Sequence, residues 1–255
     1  MITISLSFDD GRRDNYIAFK EIMEPMGIPA TYNITSGYIQ RNIEESDCPG
    51  PHEPMTIDEL KEMNTSSIVE IAGHGYSHDN SMRSLLEGIQ WLRNTLSIDS
   101  IGIASPHSEY EISRLNSDIQ CFKDNNVKYL RISNDFSRFG ISKKIARKCN
   151  KICHSGALFY YFNRDSIMKE HDFLLHSVPI LRITTVNELK NFIKIVTRKF
   201  DQGSIIFMLH SILKPVESYY DDLFSWDYDQ FREFCEFLID QQNKGNIQLK
   251  KTIDL

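Results

Sequence analysis

Four apolar runs in this chain end in residues able to do chemistry. Ile4-Ser5-Leu6-Ser7-Phe8 leads into Asp9-Asp10-Gly11, and Ile68-Val69-Glu70-Ile71-Ala72 leads through Gly73 to His74, with His78 four residues on. Ile101-Gly102-Ile103-Ala104 leads to Ser105-Pro106-His107, and Ile205-Ile206-Phe207-Met208-Leu209 ends at His210. Carboxylates and imidazoles together form a donor set for one divalent cation. Adjacent side chains leaving a strand point apart, so one aspartate can bind the ion while the other stays free as a general base. Gly11 permits the turn that exposes both. Histidines four apart share one face of a helical turn and reach the same ion, and Asp79 can orient a ring. A histidine in the position of His210 suits a general acid, because imidazole titrates near neutral pH. Each fragment has a plainer use: a turn with an acidic helix cap, a surface pair, a core histidine bonded to a carbonyl. Their joint occurrence after separate strands points to a metal-dependent hydrolase.

Lesser candidates accompany these. Pro106 and His107 could contribute to a pocket. Cys149, Cys153 and His154 could hold zinc, but no second cysteine pair supplies the remaining ligand. His171 and His176 read as structural, although His176 ends a strand and could line the mouth of a site.

The elements that must position these residues alternate. Strand patterns run over 2–8, 29–34, 67–72, 101–104, 128–132, 173–180, 204–209 and 246–250, and helical patterns over 12–25, 56–63, 80–95, 109–125, 186–200 and 227–242. Thr56 with Glu59 reads as a capping box, and Asp227 or Asp229 can cap the last helix. The alternation predicts an α/β fold: a distorted (β/α) barrel of seven or eight mostly parallel strands with outer helices, formed by one domain over 1–255. An open doubly wound sheet is the rival, weakened by the lack of a glycine-rich phosphate loop. Two stretches read as irregular, 41–55 for its prolines and 133–156 for its polar, basic and poorly periodic sequence.

Bulk properties narrow the function. Of the 255 residues 41% are hydrophobic and 25% charged, as in ordinary globular proteins. The net charge of −6 and the scatter of Lys and Arg argue against nucleic acid and anionic membrane as main partners. No run is long and apolar enough to cross a bilayer. Neither a charged leader nor a long apolar one precedes the first strand, so the expected compartment is the cytoplasm, and five widely spaced cysteines fit free thiols there.

Ser7-Phe8-Asp9-Asp10-Gly11, His74-Gly75-Tyr76-Ser77-His78, the strand-end Pro106 and Met208-Leu209-His210 resemble, in order, the motifs of the polysaccharide deacetylases, the NodB-homology group or carbohydrate esterase family four. Pro29-Ala30-Thr31-Tyr32-Asn33 is similar to that family's second strand, and Phe224-Ser225-Trp226-Asp227-Tyr228 with Phe231 to its closing helix. The resemblance implies a distorted (β/α) barrel and one divalent metal ion, zinc first, with cobalt, nickel or iron as alternatives. It implies hydrolysis of an N-acetyl group on an amino sugar or a sugar-linked intermediate of glycan biosynthesis. By matching positions, Asp10, His74 and His78 are the metal ligands, Asp9 the general base and His210 the general acid. A non-sugar amidase of the same fold, or a carbohydrate-binding module that keeps the metal without turnover, are the other readings. Many members carry an Arg shortly before the Pro of the third motif, bracing the base; here Ile103-Ala104-Ser105 stand there. The nearest candidate for the fourth motif is Arg131-Ile132-Ser133-Asn134-Asp135, so Arg131 and Asp135 join Pro106 and His107 as expected pocket residues.

Overall fold

Apolar and polar residues alternate along Ile2-Thr3-Ile4-Ser5-Leu6-Ser7-Phe8. In the computed structural model, which describes residues 1–42, 52–134, 139–169 and 172–255, this stretch is strand β1 (Ile2–Phe8), with both faces covered. Ile2, Ile4, Leu6 and Phe8 enter the large apolar core between strands and helices. Ser5 and Ser7 face the other way, bonding to Thr252 and Asn33. Six more strands follow: β2 (Ala30–Ile34), β3 (Val69–Gly73), β4 (Ile101–Ala104), β5 (Val127–Ser133), β6 (Leu174–Pro179) and β7 (Gly203–Leu209). All pair in parallel in sequence order, and β7 returns to β1 along its whole length, Ile2 to Gly203 through Phe8 to Leu209. The sheet therefore closes as a seven-stranded barrel. Two short strands beyond it, β8 (Ser211–Leu213) and β9 (Ser225–Asp227), pair with each other. A last strand, β10 (Ile247–Leu249), adds to the first half of β1, and β2 takes the second half.

The lumen of the barrel combines a small apolar cluster, Tyr129, Met168, Leu175 and Ile206, with buried polar groups. Thr31 and Tyr129 donate to the Glu70 carboxylate at 2.7 and 2.9 Å, and the C-terminal turn Thr252–Asp254 closes this end, with the Ile253 N–H 2.9 Å from Glu70. Burial pushes the Glu70 carboxyl up, against those three donors. The larger apolar core lies outside the strands. Phe207 meets Phe192 and Phe234, and Phe8 meets Phe231, each ring edge-on. Strands covered on both faces and alternating in polarity carry their chemistry inward and upward, to the ends where β1, β3, β4 and β7 stop.

The helices form the outer layer. α1 (Arg13–Ala18) passes through a π-helical turn (Phe19–Met23) into α2 (Glu24–Met26), which ends at Gly27 with φ 67°. The uninterrupted helix expected over 12–25 is thus three segments, and Pro25 within it brings no amide N–H. α3 (Ser36–Gln40), not anticipated, is followed by α4 (Ile57–Asn64), where Thr56 and Glu59 form the expected capping box. α5 (Met82–Leu96) follows β3, and a short 3₁₀ turn precedes α6 (Leu115–Asp124).

Within the stretch expected to be irregular over 133–156, Ile141–Cys153 is instead a helix, α7, which leads into α8 (Gly156–Asn163). α7 escapes detection because its buried positions are Ala146 and Asn150, with no apolar stripe facing the core. α9 (Val186–Lys199) is capped by Thr185 and Glu188, and α10 (Tyr228–Asn243) by Asp227, which accepts from the Gln230 N–H at 2.9 Å. Cys121, Cys149, Cys153 and Cys235 are free thiols. Cys48 and the prolines beside it, Asp135 and His171 lie outside the described residues.

Candidate metal centre and active site

The chain leaves β1 through an unusual backbone. Asp10 has φ 80° and Gly11 φ 86°, two successive left-handed residues, which is costly for an aspartate. The turn is held from both sides: the Thr35 N–H reaches the Asp10 carbonyl at 3.2 Å, and Arg12 grips the Asp10 side chain, Nε and Nη2 at 2.8 and 2.7 Å from Oδ2. The other oxygen, Oδ1, is buried and accepts no hydrogen bond. It stands 3.4 Å from His74 Nε2 and 3.4 Å from His78 Nε2. His74 Nδ1 lies 2.9 Å from the Ala104 carbonyl, which can only accept, so Nδ1 carries the proton and Nε2 presents its lone pair.

An orphaned carboxylate oxygen facing two imidazole nitrogens fits a divalent ion, since nothing else in the site completes its coordination. Among the described residues this is the only group of three or more His, Cys, Asp or Glu side chains close enough to share one. Cys149, Cys153 and His154 do not form such a group. Both thiols are exposed, and His154 pairs instead with Glu188 at 3.0 Å.

Asp9 lies beside this centre, 2% exposed. Arg131 Nη2 donates to both its oxygens, at 2.6 and 2.7 Å, and Asn33 Nδ2 donates at 2.8 Å. Arg131 is itself fully buried and reaches Ser177 through Nη1 at 2.9 Å. Its strand register explains its reach. Arg131 of β5 is the direct partner of Ala104 on β4, and its carbonyl accepts from the Ser105 N–H at 2.8 Å. A guanidinium therefore stands beside Asp9 although none stands in Ile103-Ala104-Ser105 just before Pro106. Arg131, expected among the pocket residues, is fully buried against Asp9.

Charge is arranged unevenly. Burial opposes ionisation of Asp9, but Arg131, then His74 and His210, outweigh it and hold its carboxyl below the ordinary range. Burial likewise opposes the Asp10 charge, and Arg12 with the two histidines drives its carboxyl well below that range. His74 is pulled down by burial and lifted above its ordinary value by Asp9 and Asp10. His210 goes the other way: burial lowers it to about 4, against the attraction of Asp10 and Asp9, and it is a neutral imidazole at neutral pH. Its Nδ1 is buried without a hydrogen-bond partner among the described residues, unlike a core histidine bonded to a carbonyl.

His107, with φ 53°, brings its ring to 4.3 Å from that of His78. Pro106 is buried, and its carbonyl accepts from Asn80 at 2.8 Å. His176 is half-buried and lines a hollow beside the mouth with Ser133, Asn134 and Tyr110. Sequence reasoning passed over Arg12, Asn33 and His52. Arg12 donates to Ser211 at 2.8 Å, and Ser211 in turn lies 3.2 Å from His52 Nδ1. The signal for Arg12 was its place directly after Asp-Asp-Gly; Asn33, inside an apolar strand, needed a buried partner.

Two expected results arise here. A Cβ on Gly88 of α5 would stand 2.7 Å from the Gly75 carbonyl carbon and 3.0 Å from the Tyr76 nitrogen, backbone of the turn between the two histidines. Gly88→Ala is expected to cost about 1–3 kcal/mol by overpacking and to weaken metal binding about 10–100-fold by displacing that turn. Competition against a chelator checks the second effect.

Burial also raises the Asp14 carboxyl from 3.8 to about 6, despite Arg12 and the Ile212 N–H. Below the unfolded value both states are protonated and the fold bears no buried anion. Above about 6 it bears the full cost, so stability should fall as pH rises from about 4 to about 6, by at most about 3 kcal/mol. Asp14→Asn should therefore raise the urea midpoint at pH 8 and leave it nearly unchanged near pH 4.

The family model for polysaccharide deacetylase matches residues 2–133. A search of curated proteins gives no match. Among solved structures, the chain resembles a candidate polysaccharide deacetylase from Mycobacterium smegmatis at 10% identity, with TM-score 0.59, covering 99% of this chain and 88% of that one. It also resembles a family 4 acetyl xylan esterase from Clostridium thermocellum, determined with a cobalt ion, at 12% identity and TM-score 0.50, covering 99% and 89%. The deacetylase PplD of Streptococcus pyogenes, in complex with acetate, aligns at 20% identity and TM-score 0.41 over 51% of this chain, which spans only 55% of that protein's length. For the Mycobacterium smegmatis and Clostridium thermocellum structures, the likeness at these identities is one of fold.

Proposed function

The chain belongs to the polysaccharide deacetylase family, and from that premise we propose that it is a metal-dependent N-deacetylase acting on an N-acetylated amino sugar or a sugar-linked intermediate of glycan biosynthesis. One observation carries the reading: Asp10 Oδ1 is buried, unpaired and 3.4 Å from both histidine Nε2 atoms, directly beside an ionised Asp9.

Asp10, His74 and His78 would hold the ion, zinc or a metal of similar preference. When bound, such an ion supplies Lewis acidity that polarises an amide carbonyl and lowers the pKa of water. The residues around it do the rest. Arg12 occupies Asp10 Oδ2, which leaves Oδ1 as the ligating oxygen. Asp9, kept anionic by Arg131 and fixed by Asn33, takes the proton of the attacking water. The amide C–N bond breaks, acetate leaves with the water oxygen, and the amine needs one proton. His210 rests neutral, so it acts as general acid only after taking up the proton that Asp9 drew from the water, which it then passes to the amine as Asp9 returns to its anion.

We take the oxyanion donor from the 105–110 loop after β4. The amides of Ser105, Ser108, Glu109 and Tyr110 are already bonded, and Pro106 has none, which leaves the His107 N–H for that task.

The test is acetate release. Purified protein with added zinc or cobalt is incubated with N-acetylated monosaccharides and oligosaccharides, and free acetate is assayed before and after chelation. Acetate that appears only with metal supports the reading. An ion bound at one per chain, with no acetate from any N-acetyl sugar, overturns it.

A further inference from the structure

α7 presents its amphipathic faces the wrong way round for a helix of a globular protein. Ile141, Ile145 and Ile152 recur at i, i+4 and i+11 on one stripe and are 80%, 57% and 85% exposed, with the exposed Cys149 between them. The polar side faces the protein: Asn150 donates to Glu188, and Lys143 pairs with Asp165. The segment Ile141–Cys153 carries Lys143, Lys144, Arg147, Lys148 and Lys151 and no acid, in a chain whose net charge is −6. Lys144, Lys148 and Lys151 are exposed and have no ion-pair partner among the described residues. The impression of scattered basic residues is thus wrong in three dimensions.

The helix lies across the rim of the barrel mouth. Lys143 borders the hollow beside the C-terminal end of β5, and Arg147, Asn150 and Lys151 border the loop after β6, with Pro179 and Leu181. Exposed apolar side chains continue from there toward the site. Ile183 follows on the same loop, the Arg182 N–H bonds the Leu223 carbonyl at 2.9 Å, and Leu223 and Phe224 are both exposed. The Phe224 ring is 4.7 Å from that of His210.

An apolar stripe edged by unpaired lysines matches a negatively charged surface with an apolar interior. We propose that this rim docks on an anionic phospholipid bilayer, α7 lying in the headgroup layer with its isoleucines inserted. No helix among the described residues is long and apolar enough to cross a membrane, and an interfacial helix does not need to be. Docking turns the mouth toward the lipid surface, so the substrate of the proposed deacetylation is an N-acetylated sugar held at that surface; this part rests on the functional reading above.

Cosedimentation tests it, with phosphatidylcholine vesicles made with and without phosphatidylglycerol. Wild type should bind only the anionic vesicles, and less as salt rises. I145S/I152S should lower binding by on the order of tenfold or more, and K144E/K148E/K151E by roughly fivefold or more for each lysine reversed. Both variants should hydrolyse a soluble N-acetylated oligosaccharide at the wild-type rate, since neither touches the site. Absence of wild-type binding, or equal binding by the variants, overturns the proposal. So does a wild-type dimer in light scattering that I145S/I152S splits, because the stripe would then belong to a second copy. Vesicle binding without any acetate release would sink the deacetylase reading and leave the docking surface standing.

Discussion

Asp9→Asn is expected to lower turnover about 10³-fold while the bound ion stays in place. The substitution keeps the shape of the side chain and removes its ability to take a proton. Asp10, His74 and His78, whose ligating atoms lie within 4.8 Å of one another, are untouched. The new amide does meet a difficulty, because Arg131 Nη2 donates to both carboxylate oxygens, and one of these becomes an NH₂ group. A donor facing a donor should cost about 1–3 kcal/mol of stability. Turnover is therefore to be measured well below the variant's melting temperature, at saturating metal, with metal content determined on the same sample. Near-normal acetate release from a fully loaded Asp9→Asn protein would remove Asp9 from the role of base.

What the sequence made legible follows the range of the interaction. The bounds of β1 and β4 were readable because apolar runs of strand length end there in Asp9 and Ser105, and strand periodicity is local. Asp10, His74 and His78 were set apart as a group by the resemblance to the family's motifs, since the residues alone left open which of the two aspartates would join the histidines; the structure brings those three side chains together. The partner of Asp9 was not legible. Its absence before Pro106 left Asp9 without an evident partner, and the partner sits on the next strand, where Arg131 is level with Ala104. Register between strands is decided by the whole barrel, so no window of sequence holds that pairing. α7 was missed for a different reason. Its isoleucines are periodic, but they face solvent, and lysines between them hide the pattern.

Arg131→Met is expected to destabilise the fold by about 3–5 kcal/mol, more than any other single change at the site, because it strands a buried charge. Arg131 is fully buried, and two of its donors hold Asp9 while another holds Ser177. Without it the largest remaining influence on Asp9 is burial, which opposes ionisation. The carboxyl then either takes up a proton, losing its function as base, or stays charged at the expense of the fold. Either way turnover falls with the ion still bound.

A purely structural arginine would destabilise as well, and the double variant separates the two cases. Asp9→Asn with Arg131→Met contains neither the stranded charge nor the donor–donor clash, so it should recover much of the lost stability, with a coupling of about 1–3 kcal/mol in urea unfolding. It should recover no activity. Additive losses in the double variant would mean that the guanidinium does not act through Asp9, and the base would then be held ionised by something other than the strand pairing that brings Arg131 to it.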